Sequence, residues 1–325
     1  MTTKRDPVEE ALGSKQDLYE VVDWEVRTRL DRLAVAVHSG LRRSSRWILI
    51  ATAIALFVVQ LGFAAYASVI RPTLGLLTLL STLPALLLVG YIWYRDPTMR
   101  KPWVTLSITF LLGALFASFA AVVNSIFQSA FQLIPVIGMV LFFFVVVGPV
   151  EETVKWLAIR VHAFNTGDFD AVIDGAVYGA VAGLGFASIE NALYITREVF
   201  QTTQAAGVGP LKAGITTATS RAFAGPGHVL YSAFAGYYLG LAKFNEESAG
   251  PIVVKGILIA AFIHGTYNTL VTYLPFGIGT VASELKFFGF IIVFDGVVLY
   301  ALYRKLKRYR THHQRAIETT DTESN

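Results

Sequence analysis

Three glutamates, two histidines and one amine stand in this chain where apolar sequence surrounds them. The stretch Gly148-Pro-Val-Glu-Glu-Thr-Val-Lys closes a long apolar run and puts Glu151, Glu152 and Lys155 within one helical turn. Glu190 and Asn191 end a second apolar segment, Arg221 and His228 sit two turns apart in a third, and His264 and Asn268 share a face of a fourth. An ionisable side chain inside a membrane costs roughly 2.5 kcal/mol or more, so an embedded set of this size calls for a function. Glutamate and histidine at a water-accessible cavity can take a proton from water, and histidine or Asn268 can donate to a developing oxyanion. Lys155 reaches either glutamate, so one can be held ionised while the other remains free for proton transfer. Two histidines and a carboxylate also make a catalytic zinc set.

Each feature has a plainer alternative. Glu151, Glu152 and Lys155 alone would suit an ion pair at a helix end, Glu190 alone an outer surface, and a single buried histidine a structural role. Together they favour chemistry. Rival hydrolase patterns are missing: the chain has no His-Glu-x-x-His, no Gly-x-Ser-x-Gly and no pair of intramembrane aspartates. It also has no cysteine, which removes thiol catalysis, thiolate metal sites and disulfides.

The elements that must position these groups are membrane helices. The 325 residues are 54% hydrophobic and only 15% charged, and the apolar residues gather in long blocks. A helix needs roughly 20 such residues to cross the hydrocarbon core. Blocks at 47–70, 74–94, 103–127, 132–160, 170–196, 219–243, 252–274 and 282–303 predict an all-α polytopic membrane protein of about eight transmembrane helices, with the catalytic core in the later spans. Residues 1–46 form a polar leader without a cleaved signal, 47–130 the N-terminal helices, 131–303 the catalytic membrane core and 304–325 a basic then acidic tail. The leader carries an amphipathic pattern over 16–38, and the tail after Arg310 reads as disordered.

Basic residues before the first span (Arg42, Arg43, Arg46), after the second (Arg95, Arg100, Lys101) and after the last (Arg304, Lys305, Lys307, Arg308, Arg310) put both termini in the cytoplasm. Arg197 and Lys212 in the loop after span five are a mild exception. The net charge of +4 thus reflects topology and not nucleic-acid binding.

Local features refine the reading. Gly175, Gly179 and Gly183, extended by Ala187, form a small-residue stripe for close helix packing. Gly148 and Pro149 loosen the fourth span before the glutamates, and Gly225, Pro226 and Gly227 bend or unwind the chain before His228. Asp174 starts a helix, and Tyr237 and Tyr238 suit an interface. Counted at 1.5 Å per residue, Glu190, His228 and His264 fall at mid-membrane or in the outer half, while Glu151 comes out nearer the middle or slightly cytoplasmic.

The four stretches, as EETVK, FASIEN, GPGH and HGTYN in order on separate spans, resemble the PrsW family of intramembrane proteases. That family lies within the larger group of CAAX prenyl proteases and bacteriocin-processing enzymes. The resemblance runs from about Phe144 to Leu270. It implies that Glu151 and Glu152 are the paired glutamates and Lys155 their basic companion, and that Phe186 and Glu190 belong to the second motif. It also implies that His228, His264 and Asn268 complete the site, the last two at the oxyanion. The CAAX branch commonly has histidine where Glu190 stands. The implied substrate is a membrane-anchored protein, anti-sigma-factor-like in some relatives, cut within the cell membrane. No cofactor is expected; the ligand types allow zinc, but the compact zinc spacings are missing and the relatives are classed as glutamic proteases. An ion-coupled transporter or a silent membrane scaffold would be the rival functions, although the inverted repeats of a carrier are not seen.

Overall fold

In a computed structural model, residues 6–8, 17–41, 72–96, 101–205, 209–274 and 281–323 can be described. The expected first span, 47–70, lies outside them. In chain order the helices are α1 (Arg29–Leu41), α2 (Pro72–Tyr94), α3 (Trp103–Gln132), α4 (Gly138–Phe142), α5 (Gly148–Val161), α6 (Val172–Ala205), α7 (Pro210–Lys243), α8 (Ala249–Tyr273) and α9 (Val281–Glu323). The described residues contain no strand.

Among the described residues, five stretches are long and apolar enough to cross a membrane: Gly75–Tyr94, Trp103–Gln132, Val172–Val199, Glu246–Tyr273 and Leu285–Arg315. The expected span at 132–160 is not one of them. The chain turns after α3, forms the short α4, passes through a π-helical turn over Phe143–Val147 and only then begins α5. Pro149 lacks the N–H that a regular α-helix would use, and the π-helical turn lies just ahead of it, inside a helical run that continues from Gly138 to Val161. Such π turns inside helices often mark functional positions. The block at 219–243 belongs to α7, whose inward Gly, Ser, Tyr and His residues make it too polar to stand against lipid alone.

The core is built on α6. Residues 171–187 are buried without interruption, with α3 on one side and α7 on the other. Glycine makes this possible. A Cβ on Gly175 would lie 2.0 Å from the Gly236 carbonyl oxygen, and one on Gly183 would lie 2.4 Å from that of His228. The two backbones therefore touch, as the small-residue stripe predicts. This contact carries His228 across to Glu190. Gly148 performs the same service for α5, where a Cβ would meet the Ala261 carbonyl oxygen of α8 at 2.6 Å.

Several local expectations are corrected. The chain does not unwind at Gly225–Gly227; α7 runs unbroken through Pro226, with packing on α6 and α2 outweighing one lost hydrogen bond. Tyr237 and Tyr238 are buried and donate to the carbonyl and carboxylate of Glu20, so they are not interfacial. The amphipathic stretch at 16–38 is helical only from Arg29; before it Leu18, Val21, Val22 and Trp24 are buried in an irregular segment. Helix α9 continues to Glu323 where disorder was expected after Arg310. Leu302, Leu306 and Tyr309 give it a buried stripe, and Tyr309 donates to the Asp6 carboxylate at 3.0 Å. Asp174 does start a helix, accepting from the Asp170 and Ala171 amides, and it also pairs with Lys101 at 2.7 Å.

The leader is fastened to the bundle by charge. Glu20 forms ion pairs with Lys255 of α8 and with Lys305 of α9, the latter at 2.7 Å, and Asp31 lies 2.6 Å from Lys255. Asn245, just after α7, holds the Trp24 amide and the Val22 carbonyl. Burial opposes ionisation of Glu20, yet Lys305 and Lys255 hold its carboxyl below the usual range. Asp31 is likewise depressed against its own desolvation, by Lys255 and by hydrogen bonds from Thr28.

Candidate active site

Helices α3, α5, α6, α7 and α8 surround a cavity of about 950 Å³ whose lining includes Asn124, Glu151, Glu190, His228, His264 and Asn268. Phe186 and Arg221 line it as well. Glu151, just after the π-helical turn, shares this cavity with Glu190, His228 and His264 of the later helices, which depth counting alone leaves apart.

The adjacent glutamates have separate situations because neighbouring helical positions point about 100° apart. Glu152 is fully buried and its Oε1 receives Lys155 Nζ at 2.6 Å and His264 Nδ1 at 2.9 Å. Glu151 faces the cavity. Asn124 donates to its Oε1 at 3.0 Å, while its buried Oε2 has no hydrogen-bond partner among the described residues. His264 Nε2 lies 3.7 Å from that oxygen.

His228 is held at both ring nitrogens. Lys155 Nζ lies 3.2 Å from Nδ1, and Glu190 Oε2 lies 2.6 Å from Nε2. Charged lysine can only donate, so Nδ1 is the acceptor and Nε2–H donates to Glu190. Phe186 closes the wall: its ring centre is 5.3 Å from that of His228 and 4.4 Å from Lys155 Nζ. The two imidazoles meet edge to face at 5.2 Å. Behind Glu190 lie Arg221, which pairs with the same oxygen, and Asn191, which accepts from Arg221 Nε at 2.9 Å.

Glu151, Phe186, Glu190, Arg221, His228, His264 and Asn268 thus line one cavity, with Glu152, Lys155 and Asn191 directly behind them. Asn268 lines it one turn beyond His264. Three further residues escape sequence reasoning. Asn124 is an amide in an apolar block and signals only that something polar lies near it. Tyr231 packs its ring 5.1 Å from His264, and its tyrosine is unremarked in an aromatic-rich helix. Ser81 holds Asn191 from α2, outside the four motifs.

The arrangement places a free carboxylate oxygen beside a histidine whose far nitrogen is fixed by a second carboxylate, with cations and imidazole around them. In an all-helical protein this is the class of polytopic membrane proteins with a polar intramembrane site. A family model described as "PrsW family intramembrane metalloprotease" matches residues 101–300, and the chain belongs to that family. Relatives named Protease PrsW include one from Oceanobacillus iheyensis, 30% identical over 57% of this chain and 78% of its own length. Another, from Shouchella clausii, is 27% identical over 60% and 83%, and that of Bacillus subtilis is 26% identical over 59% and 80%. No solved structure matches the chain.

Proposed function

We propose that the protein is an intramembrane endopeptidase that cuts a membrane-anchored protein, with Glu151 as the general base. The observation that carries this reading is the unpartnered Oε2 of Glu151 at a cavity that also presents His264, His228 and Glu190. Asn124 holds the other oxygen, so the carboxylate is oriented before substrate arrives. Glu151 takes a proton as the water oxygen bonds to the scissile carbonyl carbon, and the carbonyl electron pair moves onto its oxygen. His264, steadied by Glu152, and Asn268 are the groups that donate to that oxyanion. Collapse breaks the C–N bond, and the proton on Glu151 passes to the leaving amine.

The donor set also fits a divalent cation, as the family description implies. Glu151, His228 and His264 each offer a ligand atom within 4.8 Å of the others, and Glu152 backs His264 as carboxylates back metal-bound histidines. A cation held there would polarise the carbonyl and acidify a bound water. Two contacts of His228 support the reading without it: Lys155 and Glu190 occupy both ring nitrogens, and a lysine donor is a poor companion for a metal-bound imidazole.

The substrate we assign is a single-span membrane protein of the anti-sigma-factor kind that the resemblance implies. The location is the cell membrane with both termini in the cytoplasm, supported by the basic residues flanking the apolar segments. The test is cleavage of tagged single-span proteins by the purified chain in proteoliposomes. Cleavage lost in Glu151→Gln is expected; a variant as active as the parent overturns the assignment of the base.

A further inference from the structure

A line of hydrogen bonds runs from α2 into the proposed site. Ser81 lies on α2 with 1% of its surface exposed, and its Oγ accepts from Asn191 Nδ2 at 3.0 Å while donating to the Thr78 carbonyl at 2.8 Å. Asn191 is fully buried. Its Oδ1 accepts from Arg221 Nε at 2.9 Å, and because arginine only donates, the orientation of the amide follows from its neighbours. Arg221 grips Glu190 Oε2, the same oxygen that takes His228 Nε2. Tyr194 lies under the guanidinium, its ring centre 4.5 Å from Cζ.

Each member has one job that its neighbour cannot do. Arg221 on its own has freely rotating terminal bonds and a cavity beside it. Glu190 without a fixed Arg221 can follow any rotamer that keeps the ion pair. Asn191 removes that freedom by gripping Nε, and Ser81 removes it from Asn191. Ser81 stands outside residues 101–300, the part that matches the family. This line therefore makes α2 a participant in the site and not only a wall of the bundle.

We propose that Ser81 and Asn191 are positioning residues, which set Arg221 on Glu190 and thereby fix the ring of His228 against Lys155. The inference rests on the proposed function for its kinetic readout only. Loss of one such hydrogen bond in Ser81→Ala corresponds to roughly a fivefold fall in kcat with KM unchanged, and Ser81→Thr restores the rate. Asn191→Leu, which releases Arg221 Nε and leaves the guanidinium only Glu190 and Tyr194, falls roughly a hundredfold.

The experiment measures kcat and KM for these variants in proteoliposomes, beside helix content, thermal unfolding and the ¹⁵N resonances of a histidine-labelled protein. The expected signature is a displaced His228 resonance in Ser81→Ala, returned by Ser81→Thr, with folding unchanged. Normal kcat with an unmoved His228 resonance in Ser81→Ala overturns the proposal, as does a loss of rate that only tracks loss of folded protein. A wild-type chain that cuts none of the substrates counts against the proposed function instead, and the His228 resonance then decides the positioning question alone.

Discussion

His264 Nδ1 lies 2.9 Å from Glu152 Oε1, so the second glutamate of the pair is spent on holding a histidine. Lys155 adds a second donor to the same oxygen at 2.6 Å. Each glutamate keeps one oxygen without a hydrogen-bond partner among the described residues, but only Glu151 lines the cavity, with its other oxygen held by Asn124. Adjacent and chemically identical, the two residues have been separated into one that holds a histidine and a lysine and one that faces the cavity.

That division predicts unlike losses. Glu151→Gln should reduce cleavage by roughly 10²–10⁴-fold while leaving the thermal unfolding of the detergent-solubilised protein near that of the parent. Glu152→Gln strands Lys155 in the core and should cost about 3–5 kcal/mol of stability in addition to activity. Equal unfolding temperatures for the two variants would refute it.

Close contact between α6 and α7 should tolerate no added carbon. A Cβ at Gly183 comes within 2.4 Å of the His228 carbonyl oxygen, whereas nothing lies within 4 Å of one at Gly90. Gly183→Ala is expected to destabilise by about 1–3 kcal/mol and to displace His228, with loss of cleavage. Gly90→Ala is the control and should match the parent in both measurements.

Acid should loosen the leader. Glu20 and Asp31 are both depressed below their ordinary values in the folded protein, so their contribution is complete above about pH 4.3 and is lost as pH falls through the depressed values. Hydrogen exchange at Val21 and Val22 should therefore be slow and level from pH 7 to 5, once corrected for intrinsic rates, and should accelerate below about pH 4. Glu20→Gln should already exchange faster at pH 7. Protection that is unchanged down to pH 3, or unaffected by the substitution, would remove the electrostatic explanation.

Metal dependence separates the two forms of the mechanism. Activity in proteoliposomes is expected to survive a strong chelator, and the purified protein to contain less than stoichiometric zinc. Chelator-sensitive activity restored by zinc would instead assign Glu151, His228 and His264 as ligands, with Glu190 released from His228.

Much of the site is legible in the chain because the cost of a charge in apolar sequence is local. Glu151, Glu152, Lys155, Glu190, His228 and His264 each announce themselves against the residues on either side, whatever fold surrounds them. The glycine stripe of α6 is legible for a similar reason: spacing every four residues puts small side chains on one face, and such a face packs closely. Polar residues with neutral side chains carry no such signal. Asn124 and Ser81 are cheap enough to occur for many reasons, and their partners lie 27 and 110 positions away in sequence.

The amino-acid sequence by itself determined that the chain is an all-helical membrane protein, which residues are too polar to face lipid, and which helix face can touch a neighbour. Those properties depend on the side chains and on helical spacing alone. Which glutamate faces the cavity was decided only by the tertiary structure. Lys155 stands three residues from Glu152 and four from Glu151, within helical reach of both, and the local chain cannot choose. The choice is made when α8 brings His264 to Glu152 and α3 brings Asn124 to Glu151. The same is true of α9: the Tyr309 hydroxyl meets the carboxylate of Asp6, 303 positions away, a contact that no local reading of the segment supplies.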